Sequence, residues 1–268
     1  MPEASDRTDP AGRSLLCIVA HPDDESLACG GLLAWCSAIG VRVSVLCLTR
    51  GEHGLGSGSE DLGAVRVSEL LGACNALRVS SVTVLDHADG MLPWIDAWQI
   101  ERDIEDMIAQ ANPDIVVTFD EDGLYWHPDH IAVHERTTQV VAKLGNRAPA
   151  LYYAQIPSGA MRAVVAHAEL VLAGTGSEAP GSCREILGIS DADAFGTHAV
   201  GPSLVVDAGE YAARKLAALK SHATQVAGGA LSLVTEDEAA RLLGREQYRR
   251  APVGRQGRTF VDTLGHAP

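Results

Sequence analysis

An apolar run that stops abruptly at a cluster of charge constrains this chain most. Leu15-Leu16-Cys17-Ile18-Val19-Ala20 has the length and β-branched content of a buried strand, and His21-Pro22-Asp23-Asp24-Glu25 follows it at once. The same arrangement recurs further on. Asp114-Ile115-Val116-Val117-Thr118-Phe119 reads as a second buried strand, a polar loop begins at Asp120, and His127-Pro128-Asp129-His130 opens a helical pattern. Carboxylates are expensive to bury unless hydrogen bonds or a cation compensate them, and a divalent metal would do so. Parallel strands bring such ends side by side, at the sheet edge where open α/β folds bind ligands. Together the two loops supply two histidines and an acid as ligands, with carboxylates to spare.

The intervening sequence alternates strand and helix patterns with short connections. Strands are expected over 15–20, 41–48, 79–85, 114–119 and 150–155, and helices over 27–39, 62–77, 98–110 and 131–144. This alternation predicts an α/β fold, a doubly wound, mostly parallel sheet with a C-terminal extension. Beyond residue 156 the pattern is sparser: a loop over 174–181, a strand over 202–207, and helices over 211–222 and 236–247. Residues 1–13 read as a disordered leader. Residues 14–268 read as a single domain, with a core over 14–156 and a C-terminal part over 157–268.

Lys and Arg number 21 against 35 Asp and Glu, a formal charge of −14. With no basic cluster, this argues against nucleic acid and against an anionic membrane surface as partners. No apolar run is long enough to span a bilayer, and the first residues lack the apolar core of a signal peptide. Cys17, Cys29, Cys36, Cys47, Cys74 and Cys183 form no C-x-x-C pair and sit mostly in apolar patterns. They read as small hydrophobes in a reducing, cytoplasmic setting. The sequence is compatible with a homo-oligomer.

Two His with one carboxylate is a recognised catalytic zinc set, whose open position holds a water with its pKa lowered towards ~7. A spare carboxylate in the same loop suits the base that finishes deprotonating that water. Asp23 and Asp24 are adjacent, so one can ligate while the other faces the water. Amide hydrolysis also needs a group for the oxyanion or the leaving amine. His127 can serve, with Asp129 close enough to orient its ring.

At this point the residues carry a likeness to a known family. Ala20-His21-Pro22-Asp23-Asp24-Glu25 with His127-Pro128-Asp129-His130 resembles the LmbE-like (PIG-L) zinc N-deacetylases. Thr49-Arg50-Gly51-Glu52-His53-Gly54, Arg66 with Glu69, Asp89-Gly90-Met91 and Lys220-Ser221-His222-Ala223-Thr224-Gln225 match in order. The resemblance implies a Rossmann-like fold, with Zn2+ (or Fe2+) held by His21, Asp24 and His130. It implies Asp23 as general base, and His127 as oxyanion group or acid, oriented by Asp129. Tyr125 matches a position where the family can carry a tyrosine that assists the oxyanion. Arg50, Glu52, Arg66, Asp89 and His222 become candidate sugar contacts. Trp126 departs from the pattern, standing where a small residue is expected. The family removes acetyl from N-acetylglucosamine conjugates or cleaves related amides, so the expected partner is a small amino-sugar conjugate.

Plainer readings exist beside these. Asp23 or Asp24 can cap a helix, Arg50 and Glu52 can pair to order their loop, and Arg66 and Glu69 have i,i+3 ion-pair spacing. Asp89 can form a turn before Gly90, Tyr125 can simply pack, and His222 can meet a helix dipole. His53, His87, His134, His167 and His198 read as surface or core residues. An amidase for a bulkier acyl group shares the same site chemistry, and a non-catalytic metal-binding scaffold is a rival of another class. A dinucleotide oxidoreductase is disfavoured because Gly54-Leu55-Gly56-Ser57-Gly58 does not fit G-x-G-x-x-G, and no G-x-S-x-G elbow is present.

Overall fold

In the computed structural model, which describes residues 8–56, 61–175 and 181–268, the first strand has every residue buried. That is the signature of a strand covered on both faces, and it explains why its sequence runs apolar without alternation. The elements in order are β1 (Ser14–Val19), α1 (Asp24–Ala38), β2 (Arg42–Thr49), α2 (Leu62–Leu77), β3 (Ser81–His87), α3 (Ala97–Ala111) and β4 (Ile115–Phe119). Then follow a short helical turn α4 (Gly123–Trp126), α5 (Pro128–Leu144), β5 (Ala150–Gln155), α6 (Ala160–Thr175) and β6 (Leu204–Asp207). The chain closes with α7 (Ala212–Ser221), α8 (Ala223–Val226), α9 (Glu236–Leu243), β7 (Arg245–Gly254) and β8 (Gly265–His266).

One sheet runs β3-β2-β1-β4-β5-β7-β6-β8. The first five strands are parallel, with Leu15 beside both Val43 and Ile115. Strand order reverses between β1 and β4, so the loops after these two strands flank the crevice where doubly wound folds bind ligands. β7 runs antiparallel between β5 and β6. Helix positions follow ordinary rules. α3 buries Ile100, Ile104, Met107 and Ile108 on one stripe, and Asp61 caps α2 through the Ala64 N–H at 2.9 Å.

The C-terminal part departs from the sequence reading in two places. The helix expected over 236–247 ends at Leu243, and Arg245–Gly254 is strand β7. Its inward charges are paired: Lys215 Nζ lies 2.7 Å from Glu246 Oε1, and Arg249 Nε lies 2.9 Å from Asp120 Oδ2. Helix α6, which the sequence left unassigned, buries Met161, Val164 and Ala168. Of the segment 1–13, residues 1–7 lie outside the described residues. Residues 9–13 form turns, and Arg13 there pairs with Asp114 at 3.3 Å. Ser57 and Gly58, and residues 176–180 of the expected loop over 174–181, also lie outside the described residues.

Candidate metal centre

The two loops read from the sequence meet at the switch point. β1 ends at Val19 and delivers His21, Asp23 and Asp24, while α4 after β4 delivers Tyr125 and the start of α5 delivers His127 and His130. Three of these side chains converge. His21 Nδ1 lies 3.1 Å from His130 Nε2, His130 Nε2 lies 3.1 Å from Asp24 Oδ1, and His21 Nδ1 lies 3.5 Å from Asp24 Oδ2. The outer nitrogens of both rings are already committed. His130 Nδ1 donates to the Gly123 carbonyl at 3.1 Å. His21 Nε2 donates towards Asp89 Oδ1 at 3.0 Å and Asp129 Oδ2 at 3.1 Å.

Carbonyls and carboxylates only accept, so two neutral rings would present lone pairs to each other across 3.1 Å. A proton or a cation between them must relieve that contact. Tetrahedral zinc with ligands at about 2.0–2.1 Å sets neighbouring ligand atoms about 3.3 Å apart, and metal-bound His characteristically donates its other N–H to a carboxylate or carbonyl. The donor set fits a divalent cation. The burial of these groups agrees: His130 and Asp129 are fully buried, and Asp24 nearly so.

Asp23 sits beside this triad with φ 118°, a conformation that costs a non-glycine residue on the order of 1–3 kcal/mol. Two side chains hold it there. Arg66 Nη2 donates to Asp23 Oδ2 at 2.9 Å and to the Pro22 carbonyl at 2.6 Å, while Glu25 Oε2 accepts the Asp23 N–H at 3.1 Å. Burial pushes the Asp23 carboxyl up to about 6, with the Arg66 guanidinium partly offsetting it. Arg66 also reaches the Gly51 carbonyl at 2.7 Å, and a Cβ at Gly51 would collide with the guanidinium, which accounts for that glycine. The ion pair with Glu69 suggested by i,i+3 spacing does not form. Glu69 instead accepts from the N–H and hydroxyl of Thr224, at 2.8 and 2.7 Å.

His127 caps α5: its Nδ1 accepts the Asp129 N–H at 3.2 Å, which leaves the proton of the neutral ring on Nε2. The expected orientation of His127 by the Asp129 carboxylate is therefore corrected. The backbone of Asp129 orients His127, while its carboxylate takes the Gly90 and Leu92 N–H groups at 2.8 and 3.1 Å and backs His21. Burial and the two neighbouring imidazoles lower His127 to about 4. Tyr125 stands edge-on to His127, ring centroids 5.7 Å apart, and burial holds its phenol well above its usual value, so it is a donor at neutral pH.

A cavity of about 340 Å³ opens over the triad. Asp23, Arg66, Asp89, Tyr125 and His127 line it, as does His53, which the sequence reading passed over. His53 follows β2 at the same sheet edge as the catalytic loops, and its N–H and Nδ1 bond Asp89 Oδ2 and the Asp89 carbonyl, each at 2.9 Å. Glu52 takes the Asp89 N–H at 2.9 Å and so braces this wall, outside the cavity lining. With Glu52, two further candidate sugar contacts are corrected. Arg50 turns outward to exposed Asp86 at 2.9 Å, because β2 ends one residue earlier and alternation carries its side chain away. His222 is fully buried with Nε2 2.9 Å from Glu25 Oε1, behind the Asp23 loop and off the cavity. Trp126 is 58% exposed and donates to Thr197 Oγ1 at 2.7 Å, so it builds no cavity wall.

A doubly wound sheet with a buried His/Asp donor set at its switch point, open to a cavity, is the arrangement of an α/β enzyme with a candidate metal site. Comparison with known proteins narrows this. Residues 16–141 match the family described as PIG-L, GlcNAc-PI de-N-acetylase. The chain is 34% identical over 267 residues to the 1D-myo-inositol 2-acetamido-2-deoxy-alpha-D-glucopyranoside deacetylase of Acidothermus cellulolyticus, covering 88% of each chain. The chain belongs to the PIG-L (LmbE-like) family of N-deacetylases. Its fold is that of the N,N'-diacetylchitobiose deacetylase from Pyrococcus horikoshii, with TM-score 0.62, 19% identity, and coverage of 92% of this chain and 86% of that one. It is also that of a 4-carboxy-2-hydroxymuconate hydratase from Pseudomonas putida, with TM-score 0.57, 16% identity, and coverage of 92% and 100%. Because one fold carries both reactions, the chemistry must be argued from the site.

Proposed function

We propose that the protein removes the acetyl group from the 2-acetamido-2-deoxyglucose unit of a small polar conjugate, 1D-myo-inositol 2-acetamido-2-deoxy-alpha-D-glucopyranoside or a close analogue. The family supports the reaction, and the sugar-cyclitol relatives support the substrate class. The observation that carries the mechanism is the pair of facing ring nitrogens of His21 and His130, whose outer nitrogens are already spent as donors.

In this reading His21 Nδ1, His130 Nε2 and an Asp24 oxygen hold Zn2+, with Fe2+ the alternative. The metal, when bound, lowers the pKa of a water at its open position and polarises the acyl carbonyl. Asp23 Oδ2 is held by Arg66, which leaves Oδ1 to accept the water's proton. His127, its Nδ1 fixed by the Asp129 N–H, offers Nε2–H to the developing oxyanion and keeps that proton, while the proton taken up by Asp23 passes on to the leaving amine. Tyr125 is a second donor at the same place. Asp89, Arg66 and His53 are the polar groups that meet the sugar.

The test is acetate release from the inositol conjugate by the zinc-loaded protein, with a metal-stripped control. Metal-dependent acetate release is expected. Bound zinc with no acetate, but with cleavage of a bulkier acyl amide on the same sugar, would replace acetyl by the larger group. Bound zinc with neither cleavage would overturn the hydrolase reading.

A further inference from the structure

Helix α1 is not continuous. Cys29, in its middle, has φ −145° and ψ 16°, which divides it into a first segment, residues 24–28, and a second that starts at Gly30. The first segment carries Asp24, the carboxylate that meets His130, and Glu25, which anchors the Asp23 peptide. A new helix start leaves N–H groups without acceptors, and Cys29 has no side-chain oxygen to cap them. The acceptor comes from strand β7 instead. Glu246 Oε1 takes the Gly31 N–H and Oε2 the Leu32 N–H, each at 2.8 Å. We propose that Glu246, which lies off the catalytic cavity, is a positioning residue for the metal centre: its carboxylate keeps the break in α1 open, and the break aims Asp24 at His130. The proposal rests on the reading of Asp24 as a metal ligand.

The carboxylate is wholly committed to this place. Its acceptor positions meet the two N–H groups, Lys215 Nζ at 2.7 Å from Oε1 and the Tyr248 hydroxyl at 2.6 Å from Oε2. Glu246, Lys215 and Tyr248 are all buried. The helix is cut to receive them. A Cβ on Gly31 would lie 2.7 Å from Ala208 Cβ and 3.0 Å from Glu246 Oε1, and one on Gly30 would lie 3.1 Å from Lys215 Cγ. Side chains at these positions would push the carboxylate off the helix, so the Gly30-Gly31 pair makes room for the cap. Helix α7 completes the grip. Lys215 lies within it, and His222, just past its end, meets Glu25 at 2.9 Å. α1 is thus held from α7 on both sides of the break, at Glu25 before it and through Glu246 after it.

Without Glu246, the freed N–H groups of Gly31 and Leu32 find their nearest relief in the carbonyls four residues back. Making those bonds turns Cys29 from φ −145° towards the about −63° of a regular helix. That rotation swings the whole first segment, and Asp24 lies at its far end, about two helical turns from the cap. A metal–ligand distance tolerates a displacement of only about 0.2 Å. The loss of a side chain that touches no ligand therefore reaches the metal through the direction of α1.

The experiment measures zinc affinity by chelator competition, and amide hydrogen exchange over residues 24–33, in the wild type, Glu246→Gln and Glu246→Ala, with melting temperatures alongside. Glutamine keeps the shape and one acceptor, so it serves where alanine fails to fold. Tyr152→Phe is the control, because it deletes the hydroxyl that meets Thr259 and Asp262, each at 2.8 Å, on strand β5 away from the break. All three variants are expected to melt below the wild type. Zinc affinity should fall about tenfold or more in Glu246→Ala, the scale for a lost outer partner of a metal ligand, and less in Glu246→Gln, while Tyr152→Phe stays within about twofold. Exchange over 24–28 should quicken in the Glu246 variants alone. A lowered melting temperature with wild-type zinc affinity and wild-type exchange over 24–28 in Glu246→Gln would overturn the proposal and leave Glu246 a structural residue. If the wild type binds no zinc, the metal reading fails instead. Exchange in the metal-free proteins then decides the role of the cap, with faster exchange over 24–28 in Glu246→Gln supporting it and unchanged exchange refuting it.

Discussion

Replacing His222 by alanine separates a structural role from a substrate contact. The imidazole is fully buried, and so is its partner Glu25, whose Oε1 it meets at 2.9 Å. Burial opposes protonation of His222, but the Glu25 carboxylate outweighs it and raises the ring above its usual value, which favours the charged imidazolium beside Glu25. Alanine leaves Glu25 with the Ser26 hydroxyl at 2.5 Å and the Asp23 N–H at 3.1 Å, and without its counter-charge. Orphaning one member of a buried ion pair costs about 3–5 kcal/mol. At about 2–4 °C per kcal/mol for a chain of this size, the melting temperature should fall by roughly 6–20 °C. Because Glu25 anchors the strained Asp23 peptide, kcat should fall as well, while KM for the sugar stays within about twofold. The assays are differential scanning calorimetry at fixed zinc and steady-state acetate release, with His222→Gln as the variant that restores a donor and recovers part of both losses. A melting temperature within about 2 °C of wild type, together with a KM raised tenfold, would refute the reasoning and return His222 to the substrate site.

Other consequences follow from the same geometry. Arg50→Ala should leave KM within about twofold and stability within about 1 kcal/mol, because Arg50 and Asp86 form an exposed pair outside the cavity; a large KM change in steady-state kinetics would contradict this. Asp23→Asn should keep its metal and lose about 10²–10⁴-fold in kcat, the range for a removed general base, and near-full turnover with metal bound would end that assignment. Asp120 is buried, which pushes its carboxyl up, but its Arg249 and Gln155 hydrogen bonds outweigh this and lower it. The stabilisation is present above the usual carboxylate value of about 3.9 and is lost as pH falls through the lowered folded value. Acid unfolding monitored by circular dichroism should therefore be less steep in Asp120→Asn below about pH 4, after an overall loss of stability at neutral pH.

The parallel half of the sheet was legible because its strands are covered on both faces. β1 and β4 are almost wholly apolar and fully buried, and the polar loops that end them could not be explained by packing. β7 was hidden for the opposite reason. Arg245-Glu246-Gln247-Tyr248-Arg249-Arg250 looks like the charged end of a helix, yet Glu246 is buried against Lys215, the Tyr248 hydroxyl, and the Gly31 and Leu32 N–H groups. Polar pattern marks solvent only when the charges lack buried partners. The triad His21, Asp24 and His130 was brought together as the sequence suggested, while the second layer was misread wherever its partners are remote. His222 and Glu25 are 197 residues apart, and Arg66 reaches Asp23 across 43, so no local spacing advertises either pair.

The most direct test of the central claim is the metal stoichiometry of the wild type and of His130→Ala after zinc loading and removal of free metal, with circular dichroism as the check on folding. The account predicts about one divalent ion per wild-type chain and a loss of affinity of 10–100-fold or more in a variant that keeps its secondary structure. Equal metal content in the two folded proteins, or none in the wild type, would contradict a cation held between His21 and His130.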